Sequence, residues 1–470
     1  MAKLFRIGLS GLALVVLWVH TGLAQDGHAL SLQECIEIAL KNNSDFKTAN
    51  YQVDRAGANV LGSYSAILPR ISASLNSNRS IIGQTVNLRN IPVVDPETGQ
   101  TVIDPETGQP VVDQVESTSP SRSFNRHQMS ISYNQTLFDF GRSFSQIKQA
   151  KAGFESASEG LQSTRHAVIA TVKQRYLELL KAIKLEQEYR EAVERSKEQL
   201  DRTQSMYEIG SVAQIDVYKQ EVALGTDQIN LINQRNIVDI ARGNLNVAMG
   251  RDPETPIEIK DLDVLPSPPD FTLQDAMRIA VENNPDLRRF EFDMKSAEYG
   301  RKAAKGRYLP SIGLSLVYSR DNEKLRRVYG EFDKNFFIQV GASFDLNIFN
   351  GLADKAEVGR QTANYSIARE NWLNRKRTLE LEVKQAYLNL KASLEISKIN
   401  EKNVRAAEED FRLAQERYRV GAGTLLEVTD SQVSLTRARV NLVRTKYDAI
   451  IARAQLEAAM GVIDEELQKN

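Results

Sequence analysis

The feature that most constrains the fold of this 470-residue chain is an internal duplication. Segments of the first half return in the second half, in the same order and at steady offsets. Early matches lie 241 residues apart and later matches lie 211 apart: 31–35 with 272–276, 39–45 with 280–286, 68–69 with 309–310, then 172–177 with 383–388, 207–210 with 418–421, and 248–250 with 459–461. Ordered matches at fixed spacing indicate a repeated structural unit. The sequence therefore predicts two copies of one unit, at residues 25–250 and 271–461.

The drop of 30 between the two offsets places an insertion in the first copy, between about residues 75 and 138. A motif Asp-Pro-Glu-Thr-Gly occurs twice there, at 95–99 and 104–108. Asp-Pro and Thr-Gly favour turns. We expect a long polar loop around residues 93–113, with room for a small hairpin. The acids of this loop lack the spacing of an EF-hand calcium site.

The segments outside the two copies have distinct compositions. Basic residues precede an apolar run at 7–19, and small residues follow it, which predicts a secretory signal peptide at 1–24. A retained N-terminal anchor is the alternative, although the run is short for a membrane span. Five prolines indicate a connector at 251–270. We assign 462–470 to a C-terminal tail.

Composition argues against several classes of function. Lys and Arg total 60 against 61 Asp and Glu, and this balance speaks against a nucleic-acid partner. Four His and one Cys argue against a histidine-built metal site or a disulfide framework. The sequence has no recognisable Gly-rich phosphate loop and no plausible Ser-His-Asp set. We therefore predict neither enzymatic activity nor a cofactor nor a resident metal.

Each copy contains two segments in which apolar and polar residues alternate. These segments predict strands at about 70–78 and 129–138 in the first copy, and at about 311–320 and 336–349 in the second. Alternation with period two gives a strand one apolar and one polar face. It fits a lipid-facing barrel wall with a polar lumen. A half-buried sheet of a soluble protein alternates identically, so the pattern alone does not distinguish the two.

Two long stretches without proline, at about 143–209 and 354–420, predict helices of unusual length. At 1.5 Å per residue each would run roughly 100 Å. Apolar residues recur at steps of three and four, as in a coiled-coil seam: Val172, Tyr176, Leu179 and Ile183 in the first copy, and Val383, Tyr387, Leu390 and Leu394 in the second.

The number of predicted strands bears on assembly. Four strands cannot close a barrel, because about eight is the working minimum. An open sheet in lipid would leave unpaired backbone groups at its edges. If the strands are transmembrane, the chain must therefore associate: a dimer would supply eight strands and a trimer twelve.

With this layout, the chain resembles the TolC-like outer-membrane efflux proteins over essentially all of its mature length. The resemblance rests on the two copies, the Leu-Pro pair before each first strand, Phe138 and Phe349 after each second strand, and Tyr-x-x-Gly at the end of each long helix. It implies an α+β membrane protein with four transmembrane strands per protomer. Three protomers would form a twelve-stranded β-barrel that continues into a periplasmic α-barrel.

The same resemblance implies a function and partners. The chain would be a passive exit duct in the cell outer membrane, with a long periplasmic extension, serving efflux or type I secretion. Its partners would be a periplasmic adaptor (membrane fusion) protein, an inner-membrane pump of RND, ABC or MFS type, and outer-membrane lipid. The alternative is a periplasmic coiled-coil scaffold or adaptor without a barrel. Neither the cargo nor the pump class follows from the sequence.

The resemblance also assigns roles to the ends of the long helices. The adaptor-docking tips correspond to Ile209, Gly210 and Ser211 in the first copy and to Val420, Gly421 and Ala422 in the second. Glycine is also the usual residue at a helix C-terminus, so these glycines need no further function to explain them.

Four further residues correspond to the periplasmic gate. Glu427 and Asp430, three residues apart on one helix face, match acids that ring the family's aperture, and they would attract cations. Asp216 and Tyr418 match positions that link neighbouring hairpins in the closed state. The family's arginine position is Gly423 here and a hydroxyl position is Ile215. We therefore expect closure to rest on hydrophobic packing and the acidic ring rather than on the same salt bridges.

Overall fold

The computed structural model describes residues 29–262, 268–330 and 332–463. The predicted signal peptide at 1–24, the middle of the proline-rich connector and most of the C-terminal tail lie outside the described residues. The principal elements occur in the same order in both copies. Among the described residues, the first copy carries two additional strands and the second copy one additional short helix. The fold is therefore the expected mixture of helices and antiparallel strands.

The first copy contains four helices and four strands. They are α1 (Leu32–Asn42), α2 (Ser44–Ser63), β1 (Arg70–Ile82), β2 (Thr85–Pro92), β3 (Val112–Ser119), β4 (Arg122–Phe138), α3 (Arg142–Glu208) and α4 (Gln214–Ala248). Helix α1 begins with a capping box, since the Ser31 hydroxyl accepts from the Glu34 backbone N–H and the Glu34 carboxylate accepts from the Ser31 N–H.

The described residues of the second copy form five α-helices and two strands. They are α5 (Leu273–Asn283), α6 (Pro285–Lys305), β5 (Ser311–Asn322), α7 (Leu325–Gly330), β6 (Phe336–Asp345), α8 (Ala353–Arg419) and α9 (Leu425–Met460). Thr272 and Asp275 repeat the reciprocal cap at the start of α5. The long helices α3 and α8 have 67 residues each, with starts and ends 211 apart. The duplication is therefore present in the elements themselves.

Four strands form one antiparallel sheet in the order β1-β4-β5-β6. Within each copy the two principal strands pair, and β4 with β5 joins the copies. One face is apolar, with Leu316 opposite Tyr133 on one side and Val340 on the other. The other face is polar, and Ser72 and Ser74 hydrogen-bond Ser132 and Ser130 across the strands at 3.0 and 2.8 Å. Strands β1 and β6 are the two edges.

The insertion of the first copy forms a hairpin of its own from β2 and β3. Beyond it, three valines close a ring of backbone hydrogen bonds: Val93 donates to Val111, Val111 to Val102, and Val102 to Val93, at 2.8 to 2.9 Å. The two Asp-Pro-Glu-Thr-Gly motifs make matching turns, with the Asp95 and Asp104 carboxylates accepting backbone N–H groups. Those hydrogen bonds lower the pKa of both carboxyl groups.

The strand bounds differ from the expected ones. Strands β1 and β4 are longer than the expected 70–78 and 129–138, because they continue toward the inserted hairpin with unbroken pairing from Arg70 opposite Asn134 to Ile82 opposite Arg122. Strand β5 likewise extends to Asn322. The expected 336–349 strand was too long, since β6 ends at Asp345 opposite the first residue of β5. Each long helix begins and ends one residue earlier than expected.

The residues after β6 hydrogen-bond to the first turn of α8. The Asn347 side-chain amide donates to the Asp354 carboxylate at 3.1 Å, and the Asp354 backbone N–H donates to the Asn350 side chain at 3.3 Å. Alternation in the sequence continued past Asp345 although no neighbouring strand remained to pair with it. The end of this strand is thus decided by pairing and not by the pattern.

The described residues divide into two compact units, one of residues 29–45, 165–262, 268–276 and 384–463, and one of residues 46–164, 277–330 and 332–383. The second unit contains the sheet. The first unit has an apolar core that includes Val172, Tyr176 and Leu245, all fully buried. The Tyr176 hydroxyl donates to the carbonyls of Leu30 and Lys260, which ties the described part of the connector to that core.

Within the described residues, no helix combines the length and the apolar character that a membrane span requires.

Candidate functional site

The candidate site comprises two turns of the first unit, where each long helix gives way to the helix that follows it. We call residues 206–219 the first tip and residues 417–430 the second tip. The two ranges are related by the offset of 211, so each residue of one tip has a counterpart in the other.

At the first tip, α3 ends in a Schellman motif. The Ser211 backbone N–H donates to the Met206 carbonyl at 2.7 Å, and the Gly210 N–H donates to Tyr207 at 2.8 Å. Gly210 has φ +77°, a left-handed conformation that a side chain disfavours. Ile209 is 77 % exposed at the apex of the turn. The motif therefore leaves the predicted docking residues on the surface.

The second tip repeats this backbone geometry. Gly421 has φ +77°, its N–H donates to Tyr418 at 3.1 Å, and the Ala422 N–H donates to Arg417 at 2.8 Å. Val420 is 69 % exposed, as the counterpart of Ile209. The two copies thus present the same turn with an exposed aliphatic residue at its apex.

The helices that follow the turns begin differently. Thr424 caps α9, its hydroxyl accepting from the Glu427 backbone N–H at 3.2 Å. Its counterpart Ala213 begins α4 without a side-chain cap. Gly423, at the family's arginine position, is tightly enclosed: a β-carbon there would lie 3.0 Å from a Glu427 carboxylate oxygen and 3.2 Å from the Tyr418 backbone nitrogen. A larger residue at 423 would have to displace these groups.

The charges of the tips also differ. At the first tip Asp216 forms an ion pair with Lys219, one turn later, at 3.6 Å. At the second tip Glu427 lies 3.8 Å from Arg417 of the preceding helix. Asp430 is exposed and has no ion-pair partner among the residues that the structure describes. Because Asp430 is the counterpart of Lys219, the returning helix of the second tip carries two acids where the first carries one acid and one base.

Tyr418 brings the two tips into contact. Its hydroxyl donates to the Met206 sulfur at 3.6 Å. Burial raises the pKa of Tyr418, the Asp216 carboxylate raises it further, and Arg202 opposes the shift. Asp216 and Tyr418 correspond to the family's closed-state links, and here the Asp216 carboxylate acts electrostatically on Tyr418 of the same chain. Ile215, at the hydroxyl position, is 60 % exposed.

Next to the tips, polar side chains join the helices. Gln432 donates to Ser196 at 2.8 Å, Ser196 in turn donates to Asp227, and Gln220 donates to Thr429 at 3.0 Å. A cavity of about 430 Å³ lies beside these contacts, and Arg437 and Arg444 are among its lining residues. This part of the first unit is held by hydrogen bonds, in contrast to the apolar core around Tyr176.

Sequence reasoning missed three residues of the site, namely Met206, Lys219 and Arg417. Each could have been noticed by aligning the copies, because Met206 and Arg417 are counterparts, as are Lys219 and Asp430. That alignment would show the divergence but not which side chains meet. In the described part of the chain, no group of three or more His, Cys, Asp or Glu residues is placed to hold a metal ion.

Comparison with known proteins gives consistent matches along the chain. The family model "Outer membrane efflux protein" matches residues 35–251 and 276–462, which correspond closely to the two copies. Outer membrane protein TolC of Escherichia coli K12 is 24 % identical over 357 residues, covering 73 % of this chain and 71 % of TolC. Alkaline protease secretion protein AprF of Pseudomonas aeruginosa is 24 % identical over 455 residues, covering 94 % and 87 %.

Among solved structures, the fold is similar to that of CusC, described in work on transmembrane channel formation. The TM-score is 0.76 at 17 % sequence identity, and the alignment covers 92 % of each chain. At this identity the similarity bears on the fold alone.

Proposed function

Because the chain belongs to the outer membrane efflux protein family, we propose that it is the outer-membrane exit duct of a tripartite efflux or type I secretion system. As the sequence predicts, the chain is an outer-membrane efflux channel and not an enzyme. Cargo crosses passively, and its movement is driven by partner proteins. The alternative of a periplasmic scaffold without a channel is not favoured by membership of this family.

The four-stranded sheet is the observation that supports the proposed duct. Its apolar face is highly exposed: Ile71 is 69 % exposed, Val340 65 % and Phe344 66 %. Its edge strands β1 and β6 each have a single neighbour within the chain. Open edges cannot remain unpaired in lipid. We propose that three chains join edge to edge into a twelve-stranded barrel, with the apolar face toward lipid and the serine-rich face toward the lumen.

The helices of the first unit support self-association. On α4, Ile215, Val222 and Ile229 recur every seven residues and are 60, 71 and 60 % exposed. Tyr218 and Ile232 add to the same stripe, at 54 and 63 % exposure. A heptad stripe of this kind is the seam of a coiled coil. In the proposed trimer the stripe packs against a neighbouring copy.

The two tips form the periplasmic end of the proposed duct. We propose that Ile209, Gly210, Ser211, Val420, Gly421 and Ala422 dock the hairpins of a periplasmic adaptor, which links the channel to an inner-membrane pump. The names of the relatives cover both efflux and protease secretion. An RND, ABC or MFS pump is therefore compatible with this chain.

The gate is proposed to lie at the second tip. In a trimer, Glu427 and Asp430 of three chains would place six carboxylates around one opening, which favours cations over anions. The contact between Tyr418 and Met206 supports a closed state in which the two tips of one chain pack together.

Site-directed crosslinking in cells tests the docking surface. Cysteine would be introduced as Ser211→Cys or Ala422→Cys, with Ser366→Cys as the control because Ser366 is exposed on α8 far along the sequence from both tips. The native Cys35 will not interfere, since it is buried and its thiol pKa is raised to about 12.

We expect the tip variants to crosslink to an adaptor and the control not to. Fractionation of the same cells should place detergent-stable trimers in the outer membrane. Adaptor crosslinks equal at all three positions would contradict docking at the tips. A monomer released without detergent would contradict the duct itself.

A further inference from the structure

The loop between β5 and β6, described at residues 323–330 and 332–335, is fastened to the sheet by one buried arginine. Arg320 is only 2 % exposed. Its guanidinium donates to the carbonyls of Val328 at 3.0 Å, Arg327 at 2.9 Å and Lys334 at 2.9 Å. It also lies 5.1 Å from the centre of the Phe332 ring. The two ends of the loop are thus held against the same side chain.

The side of the sheet on which this loop lies follows from the strand pattern. Arg320 lies on the same face of β5 as Leu316 and Tyr318, which is the apolar face, and Met129 is opposite it on β4. The Tyr318 hydroxyl donates to the Phe332 carbonyl at 3.2 Å, so a second residue of that face also contacts the loop. The loop therefore packs over one end of the apolar face, at the end that continues toward the inserted hairpin.

The surface of the loop combines cations with apolar and aromatic groups. Lys324, Arg326 and Arg327 are exposed on or beside α7. Leu325, Tyr329 and Phe332 are 40, 45 and 56 % exposed. Glu323 and Asp333 are the acids of the described loop, and Asp321, just before it, is paired with Arg126 at 3.5 Å. Aromatic residues beside Lys and Arg are typical of segments at a membrane–water interface.

Strand β1, which β4 separates from β5, continues this surface. On β1, Arg79 is opposite Asn125 and follows Leu75 by four residues, and Leu75 is opposite Met129. Because side chains alternate along a strand, Arg79 lies on the same face as Leu75, Met129 and Arg320. Arg79 is exposed. Arg79 lies four residues beyond Leu75, which is level with Arg320, so this face carries a further cation past the point where the loop is held.

We propose that this loop is a lipid-binding site, in which Lys324, Arg326, Arg327 and Arg79 bind the phosphate groups of an outer-leaflet lipid headgroup while Tyr329 and Phe332 enter the interface. The inference rests on the proposed function, because it requires the apolar face to meet lipid. Lipid is the occupant that the position of the loop favours, since the loop borders the face that the barrel would turn toward the membrane. Cations at this level complement a phosphate-bearing headgroup.

The test compares binding of lipid A, of dephosphorylated lipid A and of inorganic phosphate by the purified trimer, using native mass spectrometry. The loop variant is Lys324→Gln/Arg326→Gln/Arg327→Gln. The matched control is Arg70→Gln/Arg89→Gln/Arg122→Gln, which also removes three exposed cations, one from β2 and two from the polar face of β1 and β4. Arg320 is left intact so that the loop remains fastened.

We expect wild type and the control to retain lipid A at least tenfold better than the loop variant, and added salt to weaken that binding. Dephosphorylated lipid A should bind wild type as weakly as lipid A binds the loop variant. Equal retention of lipid A by all three proteins would overturn the proposal, as would equal binding of the two lipids. Binding of inorganic phosphate alone, without lipid, would make the site one for free phosphate and would also overturn it.

Single-channel conductance of the same proteins separates this inference from the duct. If the loop variant conducts normally and fractionates with the outer membrane but keeps its lipid, only the lipid site fails. If wild type neither conducts nor fractionates with the outer membrane, the proposed function fails as well. A second variant, Tyr329→Ser/Phe332→Ser, keeps every charge and should lose retention of lipid A by several-fold through its apolar contacts.

Discussion

The two tips share a backbone and differ in charge. Gly210 and Gly421 have the same φ of +77° and the same pattern of hydrogen bonds to the preceding turn. After the turn, the first tip has a neutral pair, Asp216 with Lys219, whereas the second has two acids, Glu427 and Asp430. The shared backbone is what a duplicated hairpin needs in order to fold. The difference in charge is confined to side chains that the fold does not require.

This comparison indicates how a repeated unit can acquire two roles. A Schellman turn satisfies the last carbonyls of a helix whichever side chains surround it. Exposed charges near such a turn contribute little to stability, so they are free to diverge. In the proposed trimer, the divergence places two acids on α9, the returning helix of the second tip, where α4 of the first tip has one acid and one base. Arg417 and Arg419 of the preceding helix offset these acids over the second tip as a whole.

The largest expected effect is on ion selectivity. Glu427→Gln/Asp430→Asn should lower the preference of the channel for cations by roughly threefold or more, because it removes all six carboxylates of the proposed ring. The matched control at the first tip, Asp216→Asn/Lys219→Gln, leaves the net charge unchanged and should leave selectivity nearly unchanged. Reversal potentials in planar bilayers under a salt gradient measure both. Identical selectivity of the wild-type channel and both variants would contradict the proposed acidic ring.

The next effect concerns the shared backbone. Gly210→Ala and Gly421→Ala should each destabilise its tip by about 1–2 kcal/mol, because an L-residue is strained at φ +77°. A β-carbon at either position meets open space, so no clash adds to this strain. Hydrogen–deuterium exchange of tip peptides should quicken by roughly tenfold per 1.4 kcal/mol. Clearly unequal effects at the two glycines would break the equivalence of the turns.

A smaller effect should separate the two helix starts. Thr424→Ala removes the hydroxyl that accepts from the Glu427 N–H and should cost about 1 kcal/mol. The reciprocal change Ala213→Ser should stabilise the start of α4 by about 0.5–1 kcal/mol, since Ala213 already has the extended conformation of a cap residue. Amide exchange at the first turns of α4 and α9 reports both. If Ala213→Ser gave no protection, a cap would not explain the difference.

The smallest effect should come from the ion pair across the second tip. Arg417→Met installs the residue of the first tip and removes a 3.8 Å pair whose side chains are 61 % and 44 % exposed. Solvent screens such a pair, so the loss of stability should stay below about 0.5 kcal/mol. Cation selectivity should rise slightly, because a positive charge leaves the neighbourhood of Glu427. Unchanged selectivity would place Arg417 outside the reach of the opening, and a fall would contradict the proposed electrostatics of the gate.

Much of the fold could be predicted from sequence where the signal is local. The long helices follow from proline-free periodicity, and their ends follow from glycine at 210 and 421. The strands of the sheet follow from alternation. The end of β6 could not be predicted this way. Leu346 and Ile348 continue the alternation, but Asp345 is already opposite Ser311, the first residue of β5, so no residue of β5 remains to pair with them. For the insertion, the sequence indicates a long polar loop with room for a small hairpin, but it does not define the strands of that hairpin.

The candidate site divides in the same manner. The positions of the tips and the identity of their exposed residues were predictable, since a helix C-terminus has a local signature. The contact of Tyr418 with Met206 joins residues 212 apart in sequence. The fastening of the β5–β6 loop by Arg320 was not predicted either, because a lone arginine in an alternating strand gives no indication of which carbonyls it will reach.

The sequence by itself determined that one unit occurs twice, that its helices are long and that each ends at a glycine. These features are written in periodicity and in single residues, whose conformational preferences act within a few positions. Only the tertiary structure decided the register of the sheet, the pairing of Arg417 with Glu427 and the placement of the β5–β6 loop on the apolar face. Those outcomes depend on contacts between distant segments, which compete with one another until the whole chain is packed.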